Sequence, residues 1–191
     1  MVNIFIGLFF IFFDTTLNIT ELFEFDLELG LYDMVVSILP SFVGYLLIFI
    51  GLNSMRGKTK NFTWAQWISG VLVVIDLVRW TCVALGLLGD DESVFQIVIY
   101  LGMSAMLYFM AVGIRDIAQT AQVKLNQKSM MVHTVVLIAT HCVMYLFRNQ
   151  LLNSGLFDGA AMLAFFVIVV NVLYILAFYR MRKKYKKALL Q

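Results

Sequence analysis

RGKTKNFTWAQWISGVLVVIDLVRWTCVALGLLGDDE, Arg56 to Glu92, decides how the rest of this chain is read. Its middle, Trp64 to Leu88, is an apolar run of the length that crosses the hydrocarbon core of a bilayer as one helix, which takes about 20 residues. The charged residues before it, Arg56, Lys58 and Lys60, are all basic, and those after it, Asp90, Asp91 and Glu92, are all acidic. Lys and Arg concentrate on the cytoplasmic side of membrane spans. The run therefore has a direction as well as a length, with Trp64 and Trp67 at its basic end, where an interfacial aromatic belt belongs.

Outward from this segment the same alternation repeats. The loop before the second apolar segment is acidic (Glu21, Glu24, Asp26, Glu28, Asp33), and the loop after the fourth carries Arg115, Asp116, Lys124 and Lys128. The fifth loop has only Asp158, and the tail holds Arg180, Arg182, Lys183, Lys184, Lys186 and Lys187. The pattern predicts an all-α polytopic membrane protein, a single transmembrane domain over residues 1–191 with both termini cytoplasmic. Its six helices are expected near 2–19, 34–55, 64–88, 94–114, 129–152 and 159–179. A hydrophobic fraction of 62% with 14% charged residues and a mean hydropathy of +0.89 lie far from the balance of a soluble domain. Six spans use most of 191 residues, which leaves no room for a soluble catalytic or nucleic-acid-binding domain. The first segment resembles a signal-peptide core but lacks a basic start and a small-residue cleavage site, so it reads as a retained helix. Cys82 and Cys142 fall inside apolar segments and read as small hydrophobes.

Local signals refine this picture. Pro40 is expected to kink the second helix in mid-membrane, with Ser37 and Ser41 near the freed carbonyl. The fourth helix is expected to continue past Ile114 as an amphipathic extension with Ile117, Ala118, Ala121 and Leu125 on its less polar side. Glu24, Asp26 and Glu28 alternate with Phe25, Leu27 and Leu29, which suits a short extended segment.

The opening FIGLFFIFFD (Phe5 to Asp14), then LNI (Leu17 to Ile19), and above all LPSFVGYLLIFIGL (Leu39 to Leu52) resemble a group of small multi-span membrane proteins from Gram-positive bacteria of the Bacillus and Clostridium type. The resemblance covers roughly the first two helices. It implies a small helical bundle in a bacterial cytoplasmic membrane, and it brings no activity with it. In that group the position of Ser41 more often looks like Asp.

Ionisable groups at membrane depth are costly and usually face the bundle interior, so they point to function. Asp76 and Arg79 are spaced i, i+3, which lets them pair on one helix face. His133, His141, Tyr145 and Arg148 are read as one stripe on the fifth helix, and Gln96, Tyr100, Ser104 and Tyr108 as another on the fourth. Asp14, Asn171 and Tyr174 add polar groups on the first and sixth. Asp14, Asp76, Arg79, Gln96, Tyr100, Ser104, His141 and Arg148 are the candidate wall of an outward-opening pocket for a small polar solute or ion. The arginines suit an anionic or zwitterionic one. The alternative is that these groups only hydrogen-bond helices together, in an accessory or immunity-type protein that packs against another membrane protein.

The sequence has no H-E-x-x-H, G-x-S-x-G, Walker glycine loop or Cys/His cluster of metal spacing. No catalytic residue, metal or cofactor is therefore assigned. The basic tail is expected to lie against anionic lipid of the inner leaflet, and nucleic acid is not an expected partner.

Overall fold

A computed structural model of the chain describes residues 1–22, 40–55, 57–85, 87, 93–120, 122, 125–153 and 157–188. Among them are six α-helices: α1 (Val2–Leu22), α2 (Ser41–Asn53), α3 (Lys60–Ala84), α4 (Ser93–Thr120), α5 (Gln127–Asn153) and α6 (Phe157–Ala188). The chain is all-α, as the apolar periodicity implies. The helices Lys60–Cys82, Val94–Thr120 and Phe165–Lys187 are long and apolar enough to cross a membrane. Two shorter apolar helical stretches, Val2–Phe12 and Ser41–Asn53, accompany them. Three of the six expected spans are thus matched by such helices among the described residues.

Each helix packs on its neighbours in sequence, and α6 returns to α1, so the six close into a ring. Low residue numbers meet high ones at each contact, which makes successive helices antiparallel. Ile4 lies against Gly51 and Gly7 against Gly44, Ser41 meets Asp76, and Leu72 lies against Gly102. Phe12 meets Tyr174 edge-on at 5.6 Å and closes the ring. The centre is filled by large apolar side chains, among them Leu8, Ile48, Leu72, Met106, Leu137 and Phe178.

The α1/α2 contact is the tightest. A Cβ on Gly7 would stand 2.5 Å from the Gly44 carbonyl oxygen, and one on Gly44 would stand 2.8 Å from the Gly7 carbonyl oxygen. The two backbones therefore touch, as small residues allow where helices associate in an apolar solvent.

The alternating loop charges have a spatial consequence. Lys58 donates to the Tyr185 hydroxyl, Lys184 to Asn126 Oδ1 at 2.6 Å, and Asn61 to Asp116 Oδ2 at 2.6 Å. The described parts of the basic segments are thus gathered at one end of the ring, together with the amino-terminal end of α1 and the carboxyl-terminal end of α6.

Two local expectations are corrected. Pro40 does not kink a helix from within; it is the N-cap of α2, in extended conformation at φ −64° and ψ 136°. A proline without an N–H is as well suited to a helix start, where donors are unpaired in any case, as to a kink. Residues 34–39 of the expected span lie outside the described residues, as does the alternating acidic segment Glu24 to Leu29. The extension of α4 stops at Thr120. Gln122, just beyond it, adopts a positive φ of 52°, which ends the helix without a glycine, and Asn126, just before α5, has a φ of 59°; Ala118 and Leu125 are still buried as their apolar character requires.

Candidate functional site

Two clusters of buried polar side chains lie in the ring, and they differ in how fully their hydrogen bonds are met. The first runs along the α2/α3 contact. Gln66 Nε2 donates to Asn53 Oδ1 at 3.2 Å, and Ser69 Oγ donates to the Tyr45 carbonyl at 2.7 Å. One further level along, Ser41 Oγ donates to Asp76 Oδ2. Asp76, 1% exposed, also takes Arg79 Nε on Oδ1 at 3.1 Å. The i, i+3 pair read from sequence is therefore formed. Each carboxylate oxygen has a donor, and the guanidinium cancels the charge, which is the condition under which a buried ion pair is tolerated.

The second group is spread over α5 and α6, which pack on each other, and its α5 member faces α4. His141 is 4% exposed, and its Nδ1 lies 2.8 Å from the Leu137 carbonyl one turn back. A carbonyl only accepts, so Nδ1 carries the proton and, in the neutral ring, Nε2 is left as an acceptor. Nε2 is buried and meets no hydrogen-bond partner among the described residues. The Tyr100 ring of α4 lies 6.2 Å from the imidazole, tilted by 45°. On α6, Asn171 is 2% exposed, and neither its Nδ2 nor its Oδ1 meets a partner among the described residues. Tyr174 is fully buried, and its hydroxyl likewise meets no hydrogen-bond partner among the described residues.

Helix geometry explains which of the expected stripes hold together. Spacing by four residues drifts about 40° per step around a helix, so three such steps turn a side chain by about 120°. Tyr100 and Ser104 are accordingly half-buried, while Tyr108 is exposed and packs against Phe109. Eight residues drift about 80°. His133 thus leaves the His141 face and bonds locally to the Ser129 carbonyl at 2.6 Å. Gln96 lies one turn from Tyr100 and is half-buried. Asp14 and Arg148 sit on α1 and α5, and their side chains lie outside those described. The described contacts thus bring Asp76 together with Arg79, and Tyr100 together with His141.

Sequence reasoning missed several partners. Ser41 was assigned to a backbone carbonyl rather than to Asp76, because nothing local joins residues 35 positions apart. The Gln66–Asn53 and Asn61–Asp116 bonds went unread for the same reason. The heptad spacing of Gly44 and Gly51 is a sequence signal of this close packing.

An apolar groove of about 280 Å³ lies on the outside between α3 and α4, lined by Trp64, Trp67, Val71, Leu72, Val98 and Gly102 among others. It is lined by no charged side chain. No group of metal-ligating side chains occurs among the described residues. The chain matches no protein-family model, no curated protein and no solved structure.

Proposed function

We propose that this chain is a multi-pass protein of a bacterial cytoplasmic membrane, with six spans and its basic end in the cytoplasm. In this reading it binds or moves a small polar solute or ion at the buried polar groups between its helices. The observation that carries it is the presence of buried polar groups without a partner among the described residues on two neighbouring helices, His141 Nε2 on α5 and the Asn171 carboxamide on α6. A buried polar group left unpaired costs about 1–3 kcal/mol. Natural structures keep few of them unless water, an ion or a ligand completes the bonding. Both are neutral, and Arg79 is already neutralised by Asp76. The cluster therefore suits a neutral or zwitterionic solute with donors and acceptors of its own, more than a simple anion.

The test is a thermal-shift screen of the detergent-purified chain against small amino acids, carboxylates, sugars and polyols, repeated on His141→Leu and Asn171→Leu. A bound solute raises the midpoint by mass action. At least one compound is expected to shift the parent protein, and neither variant should respond while both stay folded. A screen without a hit, with a specific membrane protein recovered by in-cell crosslinking, would replace this reading.

The second reading is the accessory protein that packs against another membrane protein. The α2/α3 cluster favours it, since there the polar residues serve as bonds between helices.

A further inference from the structure

The basic end of the ring holds more than a diffuse patch. Lys58, in the turn between α2 and α3, donates to the Tyr185 hydroxyl and lies 5.2 Å from the centre of that ring. Arg182, one turn back on α6, sets its guanidinium 5.9 Å from the Phe5 ring of α1. Three elements thus bring two cations to one point. The Met1 amino group stands beside them; burial lowers its pKa first, and the charges of Arg182 and then Lys58 lower it further. The carboxylates among the described side chains are engaged elsewhere, Asp76 with Ser41 and Arg79 and Asp116 with Asn61 and Arg115. Crowded cations without a counter-ion repel one another, and an anion placed among them relieves that repulsion.

The point is held in place. α6 is helical through Ala188, and Lys184 fastens it to Asn126 on the other side at 2.6 Å. Tyr185 accepts from Lys58 and so keeps its own O–H free to donate. Immediately below, the α1/α6 seam is apolar and aromatic. Phe5 packs on Tyr179 at 5.8 Å, and Phe9, about half exposed, follows Phe5 by one turn on the same side. The seam leads from the cation cluster toward Tyr174 at the ring closure, in the direction an acyl chain takes from its headgroup.

We propose that Lys58, Arg182 and Tyr185 bind the phosphate of an anionic phospholipid headgroup, with one acyl chain lying along the α1/α6 seam past Phe5, Phe9 and Tyr179. This rests on the membrane-embedded reading of the chain and is independent of the interior solute cluster. The lipid is distinguished from free phosphate by the seam, which a soluble anion would leave uncovered. It is distinguished from the general attraction of a basic tail by position, because Lys183, Lys186 and Lys187 are exposed and outside the cluster.

The test is native mass spectrometry of the full chain, purified in detergent and equilibrated with equal amounts of dioleoyl phosphatidylglycerol and dioleoyl phosphatidylcholine. The expected result is preferential retention of one phosphatidylglycerol. Retention should fall about thirtyfold in Lys58→Gln/Arg182→Gln, since each cation at an anionic surface contributes about a fivefold effect. Lys183→Gln/Lys187→Gln, which removes the same charge, should keep it within about threefold, and Arg182→Lys should retain most of it, which separates loss of charge from loss of fold. Glycerol phosphate, the headgroup without chains, should not displace the lipid at millimolar concentration. Equal loss in both double variants would reduce the site to a diffuse polybasic anchor and overturn the proposal. So would indifference between the two lipids, or displacement by glycerol phosphate, which would identify a soluble phosphate site instead. The membrane reading is checked separately by whether the chain leaves membranes only with detergent.

Discussion

The α2/α3 and α5/α6 contacts both bury polar side chains among apolar ones, and they treat them in opposite ways. Along α2/α3 the buried polar residues described meet counterparts: Gln66 with Asn53, Ser69 with the Tyr45 carbonyl and Asp76 with Ser41 across the contact, and Asp76 also with Arg79 one turn along its own helix. On α5 and α6, His141 Nε2, both polar atoms of Asn171 and the Tyr174 hydroxyl are buried without a partner among the described residues. Where bonding is complete, polar residues specify which helix sits beside which. Where bonding capacity remains, it is available to something that is not the protein. The same residue types thus serve as cement in one half of the ring and as a candidate binding surface in the other.

The sharpest way to break this comparison is to open the saturated side. Asp76→Ala leaves the Arg79 guanidinium without its carboxylate and Ser41 without its acceptor, and removing one member of a buried pair costs about 3–5 kcal/mol. A large drop in the unfolding midpoint is expected, while Asp76→Asn with Arg79→Gln should recover much of it. Losses that simply add in the double variant would show that the two residues do not act as a pair. A smaller loss is expected from Ser41→Ala, about 1.5–3 kcal/mol for a hydrogen bond to a charged group, read in the same denaturation assay.

On the other side of the comparison the sign reverses. Asn171→Leu replaces an unpartnered buried amide with a side chain of similar size, so the solute-free protein should keep its midpoint or rise by about 1–3 kcal/mol. A pronounced fall would mean that Asn171 is cement after all. The smallest effect belongs to the basic end: Asn61→Leu removes a partly buried bond to Asp116 and should cost about 1 kcal/mol, measurable as a shift of a few degrees at most.

The sequence made legible what depends on runs and on neighbours. The uninterrupted apolar stretch of α3 and the sign changes in the loops were enough to predict antiparallel helices with their basic turns together at one end. Asp76 and Arg79 were legible because one helical turn joins them. What failed depends on phase or on distance along the chain. A four-residue repeat looks like a stripe over one step and is not one over three, so Tyr108 turned outward and His133 left the face of His141. Pro40 fits a helix start as well as a kink, and composition cannot separate the two. The turn between α4 and α5 holds two non-glycine residues at positive φ, Gln122 just after α4 and Asn126 just before α5, of which only the asparagine is a familiar occupant of that region. Ser41 could not be matched to Asp76 without knowing that α2 and α3 pack side by side. His141 and Asn171 are visible as polar residues at depth, but only the fold shows that their remaining hydrogen-bonding capacity meets no partner among the described residues.

The central claim is that this capacity faces a space that water or solute enters. The chain has two histidines, so nitrogen-15 NMR of histidine-labelled protein in phospholipid nanodiscs, with His133→Gln to assign the signals, addresses it directly. The account expects His141 to carry its proton on Nδ1, with an unprotonated Nε2 that receives magnetisation from water and changes its shift when a stabilising solute is added. An Nε2 that is out of contact with water and indifferent to every solute, or that is bonded to a donor of the protein itself, would contradict it.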